Sequence, residues 1–218
     1  MIICNPLSSM SLKGLEGIIF DCDGVLFDSR DVNIHFYNRI REYFGLGPLS
    51  NNEEEFVHMH SVMDSLRYIL PPECLDRLDE VRRHVNYNEL LPYMRMEEGV
   101  PELLDLLRSK GLRIAINTNR TTTMNLLLQM HGLADFFWPV MTAAQVSRPK
   151  PHPESMHRIL ELWSVYPGSV AFIGDSVVDQ STAGSSGVPF WAYKNQYLDA
   201  DMLIPDFWAL REFIAGRL

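Results

Sequence analysis

The stretch Gly17-Ile18-Ile19-Phe20-Asp21-Cys22-Asp23-Gly24 decides the fold, because an unbroken apolar run stops abruptly at two carboxylates. Its first four residues show no polar alternation, which predicts a strand buried on both faces of a parallel sheet. A second apolar run covers 112–117 and follows a helical pattern over 100–110, with Pro101 near its start and Gly111 at its stop. Further strand candidates lie at 138–142, 169–173 and 188–193, separated by apolar-periodic segments at 122–131, 153–163 and 178–186. Strands that alternate with helices predict an α/β fold, a doubly wound, mostly parallel, Rossmann-like sheet.

Between the first strand and the helix at 100–110 that rhythm breaks. Helical patterns at 32–44, 53–70 and 73–90 have no β-rich run between them, so an all-helical insertion is expected. The predicted organisation is an α/β core of residues 1–28 and 97–218 with a helical cap domain at 29–96. Two adjacent crossings, near 27–30 and 91–98, make a hinge.

Composition narrows the function classes. Among 218 residues, 19 Lys and Arg face 28 Asp and Glu for a net charge of −9, and no basic stripe is present to track a phosphate backbone. Nucleic acid is therefore not an expected partner. Neither is a membrane, since no apolar run approaches the roughly 20 residues of a spanning helix. The first residues lack the basic-then-apolar build of a signal peptide. Cys4, Cys22 and Cys74 form an odd set without a CxxC pair, which fits a reducing cytoplasm.

Ligands of open α/β sheets bind beyond the carboxyl ends of the strands. Residues just past each predicted strand are Asp21 and Asp23, then Thr118-Asn119-Arg120, then Lys150 in the loop after the third, then Gly174-Asp175-Ser176 with Asp179 beyond. If extended geometry continues past Phe20, Asp21 and Asp23 share a face and can approach one reacting centre. Paired carboxylates suit a divided task, one attacking as nucleophile and the other moving protons. A calcium loop is not supported, since its twelfth position is Val32 instead of Glu. Asp175 and Asp21 offer oxygens for a hard divalent ion such as Mg²⁺. Asp179, one helical turn on, could hold Asp175 or Lys150 in place. Lys150, between Pro149 and Pro151, is a stiffly presented ammonium, and Thr118 with the following amides makes a phosphate cradle. Alone, each has a plain structural reading: a solvated turn, a helix cap, an exposed lysine.

Together these pieces resemble the haloacid dehalogenase superfamily, over nearly the whole chain. They are D-C-D-G-V-L-F-D-S at 21–29, I-N-T-N-R at 116–120, R-P-K-P-H-P-E at 148–154 and G-D-S-V-V-D at 174–179. Their order, with the helical insertion, is similar to the phosphoglycolate phosphatase and β-phosphoglucomutase branch. That resemblance implies Asp21 as nucleophile, Asp23 as general acid and base, and Thr118, Asn119 and Lys150 as holders of the phosphoryl group. It implies Mg²⁺ bound by Asp21, Asp175 and the backbone carbonyl of Asp23, with Asp179 and Gly174 in support. An acid at position 23 disfavours the family's dehalogenases and phosphonate hydrolases.

The expected function is magnesium-dependent hydrolysis of a small phosphorylated metabolite through an aspartyl-phosphate, by a monomer or homodimer. The alternatives are a sugar phosphomutase and a non-catalytic ligand-binding protein on the same scaffold. Candidate specificity residues in the insertion are His58, His60 and Arg67, with Tyr37 and Arg41 on the preceding helix. Val62 and Met63 stand where the mutase branch carries a basic residue, a departure that disfavours the mutase.

Overall fold

A computed structural model describes residues 2–3, 12–59 and 62–217. Its strands are β1 (Ile2–Ile3), β2 (Gly17–Phe20), β3 (Phe27–Asp28), β4 (Arg95–Met96), β5 (Arg113–Thr118), β6 (Val140–Thr142), β7 (Val170–Gly174), β8 (Phe190–Tyr193) and β9 (Met202–Ile204). Six of them form the core sheet in the order β9-β8-β7-β2-β5-β6, β1 adds beside β9, and every pairing in this sheet is parallel. The doubly wound, Rossmann-like sheet expected from the sequence is thus present.

Helices cover both faces, which is why β2, β7 and β8 are buried along their whole length. On one face α8 (Glu154–Trp163) and α9 (Val177–Ser186) share a core with Ile19, Ala115, Phe172 and Phe190. The alternate residues point the other way. Phe20 meets Phe207 at the start of α10 (Phe207–Ala215), ring centroids 6.2 Å apart, and Tyr193 stacks on the same Phe207. A side chain at Gly17 would stand 2.6 Å from the Trp163 ring, so only glycine lets α8 close onto β2. The edges of the strands read from sequence shift by one or two residues; β9 and β1 were not read as strands, being three and two residues long.

Residues 1–27 with 96–218 make one compact unit, and 28–95 make a second, helical one. The chain passes between them through β3 and β4, which pair with each other. The helical unit comprises α1 (Arg30–Tyr43), α2 (Asn51–Met59), α3 (Val62–Ile69), α4 (Pro72–Leu75), α5 (Leu78–His84) and a 3₁₀ segment at Tyr87–Tyr93. Between them α6 (Val100–Ser109) and α7 (Met124–Met130) return to the α/β unit.

The long helices read from sequence are described in shorter pieces. Val57 and Leu66 both enter the core of the helical unit, and 53–70 is described as α2 and α3, on either side of residues outside the described set. Residues 73–90 divide into α4, α5 and the 3₁₀ segment, where Pro92 cannot supply an α-helical amide. Among the described residues no helix is long and apolar enough to cross a membrane.

Candidate active site

Register assembles the site. Phe20 of β2 aligns with Ile116 of β5 and with Ile173 of β7, so the ends of three adjacent strands open at one edge. Asp21 follows Phe20 directly, and its backbone N–H donates to the Ile173 carbonyl at 2.9 Å. Thr118 is the last residue of β5, and Asp175 follows Gly174 at the end of β7.

Lys150 reaches in from its loop and is 6% exposed. Its Nζ lies 2.8 Å from Asp21 Oδ1 and 2.6 Å from Asp179 Oδ1. Burial alone would strip its proton, but the two carboxylates outweigh that and hold the ammonium above its ordinary range. Burial and the nearby Asp179 push the Asp21 carboxyl well up, with Lys150 opposing them. Asp179 has two tasks, one per oxygen. Oδ1 takes Lys150, while Oδ2 accepts from Ser176 N–H at 3.2 Å and Ser176 Oγ–H at 2.5 Å, closing a capping box at the start of α9. One side chain thus caps α9 and pairs with Lys150.

Asp23 is placed differently from Asp21. The extended chain ends at Phe20 and folds back, the Cys22 carbonyl accepting from the N–H groups of Leu26 and Phe27, both at 3.0 Å. The expectation that a continuing strand brings the two carboxylates onto one face is corrected: the strand ends at Phe20, and Asp23 stands on a tight loop beyond it. The Asp23 carboxylate is gripped by Arg120, Nη2 to Oδ1 at 2.5 Å and Nε to Oδ2 at 3.2 Å. Arg120 is a residue whose role sequence reasoning missed. A cation directly after Thr118-Asn119, at the same strand end as unpaired acids, was the available signal. Thr118 is 3% exposed and its Oγ accepts from the Arg120 N–H. Asn119 donates its side-chain amide to the Lys150 carbonyl at 3.0 Å, tying the two loops.

Two glycines are required by close approach. A Cβ at Gly24, where φ is +77°, would sit 2.0 Å from the Asp175 carboxylate; a Cβ at Gly174 would sit 2.3 Å from Asp179 Cβ.

Donor oxygens of Asp21, Asp175 and Asp179 lie within 4.8 Å of one another, close to the roughly 4 Å that separates two oxygens across one magnesium ion. Since Asp179 is engaged by Lys150 and Ser176, Asp21 and Asp175 are the carboxylates left to share an ion. Four carboxylates meet two cations, Lys150 and Arg120, leaving an excess of two negative charges that suits a divalent cation. The residues fit such an ion.

That excess has a measurable consequence. Burial first, then Asp179, pushes the Asp175 carboxyl up to about 7 from its ordinary 3.8. A raised carboxyl binds its proton more tightly when folded, so without metal its share of stability is present in acid and lost as pH rises through about 7. Metal-free wild type is expected to gain melting temperature relative to Asp175→Asn as pH falls from about 7 to about 4, and a divalent ion is expected to flatten the difference. A pH-independent difference between the two proteins would contradict this.

The residues suggested for substrate choice fare unevenly. Arg67 is exposed and pairs with Asp64 at 3.3 Å. His58 belongs to α2, with its side chain outside the described set, and His60 lies outside the described residues. Tyr37 and Arg41 are corrected. Tyr37 is 3% exposed in the core of the helical unit, and Arg41 is spent on Glu53 and the carbonyls of Gly47 and Ile69, holding helix ends together.

Comparison with known proteins agrees with this geometry. The profile described as haloacid dehalogenase-like hydrolase matches residues 18–193. A crystal structure of a haloacid dehalogenase superfamily hydrolase of subfamily IA from Geobacter sulfurreducens superposes with a TM-score of 0.83 at 35% identity, covering 95% of this chain and 99% of that one. Pyrophosphatase PpaX of Bacillus velezensis is 26% identical over 82% of each chain. A phosphoglycolate phosphatase of Chromobacterium violaceum is 26% identical over 90% of this chain and 93% of its own.

Proposed function

Because this chain belongs to the haloacid dehalogenase-like hydrolases and is, by fold and acidic cluster, a phosphoric monoester hydrolase, we propose that it hydrolyses a small phosphorylated metabolite with Mg²⁺ through a phosphoryl-Asp21 intermediate. One observation carries the reading: Lys150 Nζ lies between Asp21 and Asp179, while Asp175 presents an oxygen within 4.8 Å of Asp21.

In the first half-reaction an Asp21 oxygen attacks phosphorus in line, the new acyl-phosphate P–O bond forms, and the ester P–O bond breaks. Asp23 gives its proton to the departing alkoxide. In the second, Asp23 as carboxylate takes a proton from water, whose oxygen attacks phosphorus and releases phosphate and free Asp21. Lys150 offsets charge on the transferring group and is kept in line by Asp179, and Thr118 with the amides after it holds the phosphoryl oxygens. Bound by Asp21, Asp175 and the Asp23 backbone carbonyl, magnesium would neutralise and orient the phosphoryl oxygens.

A short phosphorylated acid of the phosphoglycolate kind is the substrate class we favour, supported by the Chromobacterium relative's name. Buried free thiols at Cys22 and Cys74 suit a cytoplasmic setting. Purified protein supplied with a panel of phosphorylated metabolites is expected to release inorganic phosphate steadily with Mg²⁺ and to stop on chelation. Turnover undiminished by a chelator would overturn the metal-dependent reading, and isomerised product with little free phosphate would favour a mutase.

A further inference from the structure

The Arg120–Asp23 pair has no part in the mechanism above, and its geometry is unusual for a surface contact. The Arg120 side chain is only 6% exposed, although its partner is 37% exposed. Its fork engages both Asp23 oxygens, while Nη1 donates to Thr123 Oγ at 3.0 Å and the backbone N–H donates to Thr118 Oγ at 3.1 Å. A planar guanidinium bonded on two sides cannot swivel as a lysine can, so it fixes the plane of the carboxylate it holds. Asp23 sits on a loop after the strand has ended. The anchor at the other end is the end of β5 at Thr118, the residue placed at the phosphoryl group.

We propose that Arg120 is the positioning residue for proton transfer, holding the Asp23 carboxyl at a set orientation relative to the phosphoryl site at Thr118. This rests on the phosphatase reading and adds to it a second cation with a different task from Lys150. Lys150 acts on Asp21 and the phosphoryl group; Arg120 acts through Asp23. An acid misplaced by about an ångström loses much of its advantage, because proton transfer needs hydrogen-bond reach to the departing oxygen.

The test exploits leaving groups. An alkyl phosphate expels a basic alkoxide that needs the Asp23 proton, whereas a nitrophenyl phosphate expels a stable phenolate that does not. Positioning predicts that Arg120→Met lowers the alkyl-to-aryl ratio of kcat/KM about 30-fold, less than the roughly 10²-fold or more expected when a general acid is removed outright. Arg120→Lys, which keeps the charge and loses the fork, should recover part of that ratio. Asp23→Asn should show the same selective loss, and adding Arg120→Met to it should move the ratio no further.

A ratio unchanged in Arg120→Met, both substrates falling together, would overturn the proposal and leave Arg120 a structural tie. So would a full additional loss of the ratio in the double variant. Wild type that hydrolyses neither ester would instead overturn the phosphatase reading, and this proposal with it.

Discussion

Asp21→Asn protein is expected to lose turnover by about 10³-fold or more while remaining folded, because the change removes the attacking oxygen and little else. Asparagine has the same shape. Its amide cannot attack phosphorus, and without the carboxylate one of two metal-sharing groups is gone. Stability should move the other way. Asp21 is a buried carboxyl raised by burial and by Asp179, so a neutral side chain there relieves more than the Lys150 contact it gives up. Lys150 keeps Asp179 at 2.6 Å. Steady-state phosphate release and a melting curve on the same preparation check both halves. Full activity in this variant would remove Asp21 from the nucleophile role, and a collapsed melting temperature would show that the group is structural.

Lys150→Met is expected to lose on both counts. The ammonium is 3% exposed at its side chain and lies between Asp21 and Asp179, so the substitution leaves two buried acids with no counter-charge. Breaking a buried pair from one side commonly costs about 3–5 kcal/mol. Part of that is recoverable in acid, since both orphaned carboxyls can take up protons, and part by a divalent ion that replaces the missing charge. The variant should therefore melt lower than wild type near neutrality, with the gap narrowing as pH falls or magnesium rises. Turnover should drop by about 10²-fold or more, because a charge on the transferring group is no longer offset. Thermal denaturation across pH, with and without Mg²⁺, measures the first effect. A variant as stable as wild type at neutral pH would mean that the acids are compensated elsewhere.

Much of this was legible in the sequence, and the reasons are specific. Gly17–Phe20 and 114–116 carry no polar alternation, a pattern that only a sheet covered on both faces tolerates. Once the sheet is parallel, all carboxyl ends open at one edge, so Asp21, Thr118, Lys150 and Asp175 converge without any knowledge of side-chain contacts. What stayed hidden were the pairings. Sequence does not say that Arg120 takes Asp23 while Lys150 takes Asp21, because both cations follow strands at the same edge. Nor does helical periodicity assign Tyr37 and Arg41, since the face a helix buries depends on neighbours distant in the chain.

The central claim is that a phosphoryl group passes through Asp21. Rapid quenching of wild-type protein during turnover of a labelled phosphate ester, followed by peptide mapping, tests it most directly. The account predicts acid-stable, hydroxylamine-sensitive label on the peptide that contains Asp21, and accumulation of that label in Asp23→Asn supplied with an aryl phosphate, whose leaving group needs no proton while water is no longer activated. Undiminished turnover with no label on the chain, or with label on a different residue, would contradict it.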